Sequence, residues 1–160
     1  MALQVGDTAP DFVLEEGGGQ EYQLSQFQGR WVILYFYPKD NTPGCTKEAC
    51  GFRDHYAALQ AENAEVIGVS MNNAQSHQKF ATKYDLPFPL LCDLDASVAK
   101  QYESYGPKKF MGKEYEGIYR RTFIINPAGK LAKIYPKVRP EPHPHEVYED
   151  LQRLKSTEPS

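Results

Sequence analysis

The stretch WVILYFYPKDNTPGCTKEACGFRD, Trp31 to Asp54, sets the architecture. Trp31 to Tyr37 form a near-continuous apolar run with aromatic and β-branched residues, which fits a strand buried on both faces. Gly29 leads into the run. Pro38 ends it, because proline has no N–H to give to a sheet ladder. A loop follows. Then Ala49, Phe52, Tyr56 and Leu59 recur at helical spacing. A buried strand feeding a helix is the beginning of an alternating chain.

Reading outward, the alternation continues. EVIGVS, residues 65–70, is a second buried strand. NAQSHQKFATKYDL reads as a helix capped by Asn73, with His77, Phe80, Ala81 and Tyr84 on one face. PFPLLCD is a short strand and DASVAKQYES a short helix. GPKKFMGKEYEGI, residues 106–118, reads as a polar loop. RTFIINPAGKLAKIY gives two strands around an Asn-Pro-Ala-Gly turn, and the last helix runs from His145 to Leu154. On the N-terminal side, DFVLEEGGGQEYQLS forms a hairpin about a glycine-rich turn. The order predicts an α/β protein with a thioredoxin-like fold. A central mixed sheet is flanked by helices, with an added N-terminal β-hairpin.

A chain of 160 residues suggests one domain over 1–160, long enough to bury a core without staples. A formal charge of −3 is too small to imply nucleic-acid binding by electrostatics alone. No apolar run approaches the ~18 residues that span a bilayer, and MALQVGDTAP has no secretory-signal pattern. Three cysteines do not make a disulfide framework, so a reducing, cytoplasmic setting is expected. There a cysteine pair is catalytic or metal-binding more often than structural.

Cys45 and Cys50 admit four readings. A zinc site needs a second ligand pair, and only Cys92 and scattered histidines remain. A thioredoxin-type redox pair has a spacer of two residues rather than four. Two buried small side chains on a helix form the third reading. A reactive cysteine with a resolving partner is the fourth. If Cys45 begins the helix, ideal geometry puts the two side chains ~140° apart with Cα atoms ~8.6 Å apart. A disulfide needs about 7 Å or less, so bonding requires the first turns to unravel. Gly51 is a hypothesised weak point for that opening, the alternative being close packing against a neighbouring strand. A helix N-terminus favours the thiolate, which is the nucleophile. Thr42 can direct a hydroxyl at whatever the sulfur attacks, and Pro43 and Gly44 allow a tight turn with exposed N–H groups. Arg120 or Arg121 would complete the site.

The string PKDNTPGC, Pro38-x-x-x-Thr42-x-x-Cys45, is similar to the active-site signature of peroxiredoxins. YFYPKDNTPGCTKEACGFRD resembles the bacterioferritin comigratory protein, or peroxiredoxin Q, subfamily. GDTAPDFVL and GIYRRTFIINPAGK extend the likeness over nearly the whole chain. PFPLLCD fits the middle strand, where the subfamily more often has serine than Cys92. The resemblance implies a thiol-specific peroxidase acting on hydrogen peroxide and organic hydroperoxides. It implies Cys45 as the peroxidatic cysteine, Thr42 as a hydroxyl bonded to the peroxide, and Pro38 as a shield from water. Arg120, rather than Arg121, matches the active-site arginine, and Glu48 the acid that orients it. Cys50 matches the resolving cysteine, and a Cys45–Cys50 disulfide recycled by thioredoxin or a related dithiol is implied. No metal or cofactor is implied, and the subfamily is mostly monomeric.

A free cysteine of pKa ~8.5 is about 3% thiolate at pH 7, so full ionisation gains at most ~30-fold. Most of the acceleration must come from donors aimed at the peroxide oxygens, which gives Thr42, Arg120 and the N–H groups near Gly44 and Cys45 the larger roles. Outside this stretch, Cys92 reads as a buried strand residue. His143 and His145 read as a solvated pair, and Arg53 as a support for Glu48 or a surface partner of Asp54. A second function remains open, that of a redox-controlled interaction protein signalling through helix unravelling.

Overall fold

The computed structural model describes residues 2–157. The chain opens with the hairpin β1 (Val13–Glu16) and β2 (Glu21–Gln23), then a 3₁₀ turn at Leu24–Phe27. β3 (Trp31–Phe36) leads into α1 (Pro43–Ala61), and β4 (Ala64–Ser70) into α2 (Ala74–Tyr84). β5 (Leu90–Cys92), α3 (Ser97–Gln101), β6 (Tyr105–Phe110) and β7 (Lys113–Ile118) follow. β8 (Arg121–Ile125), β9 (Leu131–Tyr135) and α4 (His143–Thr157) complete the order.

Seven strands form one sheet in the order β2-β1-β5-β4-β3-β8-β9. β3, β4 and β5 run parallel, and the remaining neighbours are antiparallel. The sheet is therefore mixed and flanked by helices, as the alternation predicts. The N-terminal hairpin joins it through β1 against β5, with Glu15 opposite Cys92.

Every residue of β3 is buried because both faces are covered. Side chains alternate across a strand. Ile33 and Tyr35 pack with Cys45, Ala49, Phe52 and Leu59 of α1 and with Val147 and Leu151 of α4. Val32, Leu34 and Phe36 pack on the opposite side with Val98 and Ala99 of α3. Asn73 caps α2 as read, accepting from the Ser76 N–H at 2.9 Å.

Three expectations change. Residues 106–118 are not a polar loop: β6 and β7 pair as a separate two-stranded ribbon, Gly106 opposite Gly117 and Phe110 opposite Lys113. Lysine and glutamate on a largely solvated ribbon hide the alternation that marks a half-buried strand. Its turn places Met111 and Gly112 at positive φ, 53° and 81°. α1 starts at Pro43, ahead of its apolar spacing, because proline suits the first helical position. α4 is longer than read at both ends. Among the described residues no helix is long and apolar enough to cross a membrane.

Candidate active site

The loop after β3 delivers the cysteine. Asn41 takes φ 60°, a left-handed conformation that asparagine tolerates, and turns the chain back into α1. Thr42 occupies the N-cap, and its carbonyl accepts from the Thr46 N–H at 2.8 Å. Cys45 is the third residue of α1 and is only 1% exposed. The sulfur thus sits in the first turn, where backbone N–H groups lack intrahelical partners.

β8 delivers the guanidinium. Its register against β3 sets Phe36 opposite Arg121, so Arg120 lies beside the loop that follows β3. Arg120 Nη2 donates to Cys45 Sγ at 3.3 Å and Nη1 donates to Glu48 Oε1 at 2.7 Å. Glu48 is three residues after Cys45, hence on the same helix face. One planar fork therefore holds the sulfur and the carboxylate together. Gly44 permits this approach: a Cβ there would lie 3.2 Å from Arg120 Nη2 and 3.4 Å from Pro140 Cγ. Arg121 points elsewhere, donating to the carbonyls of Glu103 and Pro136.

Glu48 is fully buried, and burial pushes its pKa up to about 7 against the opposing pull of Arg120. Burial also penalises the Arg120 charge, but Glu48 and Cys45 together outweigh it and raise the Arg120 pKa. Glu48 Oε2 and the Tyr35 hydroxyl are both buried without hydrogen-bond partners among the described residues.

The other sequence-expected residues divide. Thr42 is half-buried, and its hydroxyl donates to the Lys39 carbonyl at 2.9 Å. Its proton is committed, and its lone pairs remain free to accept. Pro38 is half-buried just past the end of β3. Cys50 is a free, half-buried thiol in the same unbroken helix as Cys45. Gly51 has a packing reason: a Cβ there would meet Pro144 Cγ at 2.6 Å, so the close neighbour is α4 rather than a strand. Arg53 does not support Glu48. It bonds Asp54 at 3.1 Å and the Tyr84 carbonyl at 2.8 Å. Cys92 is half-buried, and burial raises its pKa with help from the Asp40 and Glu15 charges, the reverse of what a nucleophile needs. His143 and His145 diverge. His143 is buried against the Thr122 hydroxyl at 2.8 Å, while His145 meets His55 at 3.3 Å on the surface.

Sequence reading missed a network beneath the loop. Asp40 is buried and accepts from the Tyr37 hydroxyl at 2.5 Å and the Ser76 hydroxyl at 2.8 Å. His77 Nδ1 lies 2.7 Å from Asp40 Oδ2, and its Nε2 donates to the Leu91 carbonyl at 2.9 Å. The Asp40 N–H donates to Asn72 Oδ1 at 2.9 Å. The loop is thus fastened to α2 and to the strands beneath it. His77 is the interior residue its helix face predicts, but as a hydrogen-bonded partner of Asp40. A lone aspartate in a loop with a histidine on an apolar helix face was the available signal.

The chain is similar in sequence and fold to known proteins. A model of the AhpC/TSA family matches residues 5–134. Peroxiredoxin Bcp of Bacillus subtilis is 44% identical over 155 residues, covering 97% of each chain. Peroxiredoxin Bcp of Escherichia coli K12 is 41% identical over 145 residues, 91% of this chain and 92% of that one. Among solved structures, the bacterioferritin comigratory protein of Xanthomonas campestris superposes with a TM-score of 0.88 at 32% identity, covering 94% of this chain and 95% of that one. A peroxiredoxin Q mutant of Xylella fastidiosa gives 0.89 at 33%, covering 94% and 96%.

Proposed function

The chain belongs to the AhpC/TSA family and is a peroxiredoxin, a thiol peroxidase; on that premise we propose that Cys45 is its peroxidatic sulfur and Cys50 its resolving one. The observation that carries this reading is the Arg120 fork, which touches the Cys45 sulfur and is itself held by Glu48.

Cys45 thiolate attacks the terminal oxygen of a hydroperoxide. The S–O bond forms as the O–O bond breaks, leaving a sulfenic acid and an alkoxide or hydroxide that takes up a proton. Arg120 and the first-turn N–H groups donate to the oxygens as charge develops, which is where fixed donors act most strongly. Thr42, with its own proton donated to the Lys39 carbonyl, accepts a hydrogen bond from the peroxide O–H. Pro38 shields the sulfur from water, and Glu48 orients the guanidinium. Cys50 then condenses with the sulfenic acid, releasing water and forming a disulfide that prevents further oxidation.

Cys50 is in the same unbroken helix, so the second step requires the start of α1 to unwind. The disulfide is returned to two thiols by exchange with thioredoxin or a related dithiol protein. Hydrogen peroxide and organic hydroperoxides are the proposed substrates. The Xanthomonas campestris relative is described by its alkyl peroxide reduction activity. A cytoplasmic monomer of one domain over 1–160, without nucleic-acid or membrane partners, fits the charge and cysteine usage.

Turnover tests the reading. With thioredoxin and its reductase present, NADPH should be consumed on addition of hydroperoxide, and a Cys45→Ser variant should abolish this. A redox-controlled interaction protein would oxidise once and stop.

A further inference from the structure

Thr42 sits at the N-cap of α1, where a threonine hydroxyl ordinarily accepts from a first-turn N–H. Its side chain makes no such bond. It donates instead to the Lys39 carbonyl at 2.9 Å. That carbonyl belongs to the same peptide unit as the Asp40 N–H, which donates to Asn72 Oδ1 at 2.9 Å. A peptide unit is planar, so its two ends turn together. Asn72 therefore fixes which way the Lys39 carbonyl faces, and the carbonyl fixes where the Thr42 proton goes.

Both supports of this peptide are themselves held. Asn72 Oδ1 accepts a second bond from the Ser70 hydroxyl at 3.0 Å, and the Asn72 N–H donates to Ser70 Oγ at 3.2 Å. Ser70 is the buried last residue of β4. On the side-chain side, the Leu91 carbonyl can only accept, so His77 Nε2 carries a proton. His77 Nδ1 and Asp40 Oδ2, 2.7 Å apart, need a second proton between them. The Tyr37 and Ser76 hydroxyls complete the carboxylate at 2.5 and 2.8 Å. Asp40 is 6% exposed and His77 1%, so water does not compete for these bonds.

We propose that His77 and Asn72 are positioning residues of the peroxidase reaction. Through Asp40 they hold the peptide between residues 39 and 40 in the orientation that takes up the Thr42 proton, which leaves the Thr42 oxygen an acceptor for the peroxide O–H. Without them the peptide is free to turn, and the hydroxyl regains its proton as a donor facing the wrong way for the substrate. This rests on the reading of Thr42 as the peroxide's acceptor.

The test follows oxidation of the reduced protein by hydrogen peroxide in a single turnover, quenched with a thiol-alkylating agent and read on the Cys45 peptide, at a pH where the thiolate is complete. Asparagine at position 77 keeps an N–H near the place of Nδ1, and glutamine keeps one near the place of Nε2. His77→Gln loses the donor to Asp40 and should oxidise about tenfold more slowly, within the range for a displaced reacting group. His77→Asn should recover most of that rate although it loses the bond to Leu91. On a Thr42→Val background, His77→Gln should cost less than about twofold, because the group it positions is gone. An unchanged rate in His77→Gln overturns the inference. So does an equal loss in the two His77 variants, or the full loss persisting on the Thr42→Val background, since either would give His77 a role in the fold alone. If His77→Gln fails to fold, Asn72→Leu and Asn72→Asp make the same comparison: aspartate keeps an acceptor for the Asp40 N–H and leucine does not. Thr42→Val by itself separates the two levels. An unchanged rate there would sink the Thr42 reading and this inference with it, whereas slowing in Thr42→Val without slowing in His77→Gln would sink this inference only.

Discussion

Gly51 of α1 and Pro144 of α4 lie so close that a Cβ on residue 51 would come within 2.6 Å of the proline Cγ and 3.1 Å of its Cβ. The residue after Cys50 is thus pressed against the last helix, in the segment that must move if Cys45 and Cys50 are to bond.

Gly51→Ala sets two effects against each other. Alanine gains about 1 kcal/mol of helix propensity. Forcing a methyl group into a filled space costs about 1–3 kcal/mol, and the neighbour here is a ring rather than a yielding chain end. The collision should win, lowering Tm by a few degrees. Adding Pro144→Ala should recover most of the loss in a double-mutant cycle. A Gly51→Ala protein as stable as the parent would show that this contact is loose.

Arg120→Met should slow oxidation of Cys45 by about 100-fold, the scale expected for losing one fixed donor to a developing oxyanion. Arg120→Lys should recover only part of the rate, since an ammonium cannot reproduce the planar fork that spans Glu48 and Cys45. Single-turnover kinetics at a pH where the thiolate is complete isolates the chemical step. An unchanged rate per thiolate there would contradict the assignment.

Glu48 makes stability depend on pH with a definite sign. Its folded pKa of about 7 exceeds the ordinary 4.5, so the folded protein holds this proton more tightly than the unfolded chain. The resulting stabilisation is complete below about pH 4.5 and is lost as pH rises through about 7. Glu48→Gln has no such proton. Urea unfolding should therefore show the variant gaining on the parent between those two values and holding a constant lead above them. A difference independent of pH would mean that Arg120 keeps Glu48 ionised throughout.

Much of this was legible in the sequence, for local reasons. β3 and β4 announce themselves as apolar runs because both faces are covered. Thr42, Gly44 and Cys45 are legible because a helix start has its own chemistry. Arg120 was separable from Arg121 by its spacing from the family resemblance, and the β3–β8 register supplies the physical reason. The β6–β7 ribbon escaped because its two faces carry similar polar residues. The Asp40–His77 contact escaped because its partners are 37 positions apart and Asp40 lies in a loop outside any periodic pattern. The reason for Gly51 escaped because it belongs to α4, which nothing near residue 51 reveals.

Peptide mass spectrometry after one equivalent of hydroperoxide tests the central claim most directly. Trypsin cuts after Lys47, which puts Cys45 and Cys50 on separate peptides, so a bond between them appears as a cross-linked mass. The account predicts that mass, with Cys92 still a free thiol. Cys45 oxidised while Cys50 remains a thiol, or a link to Cys92 instead, would contradict it.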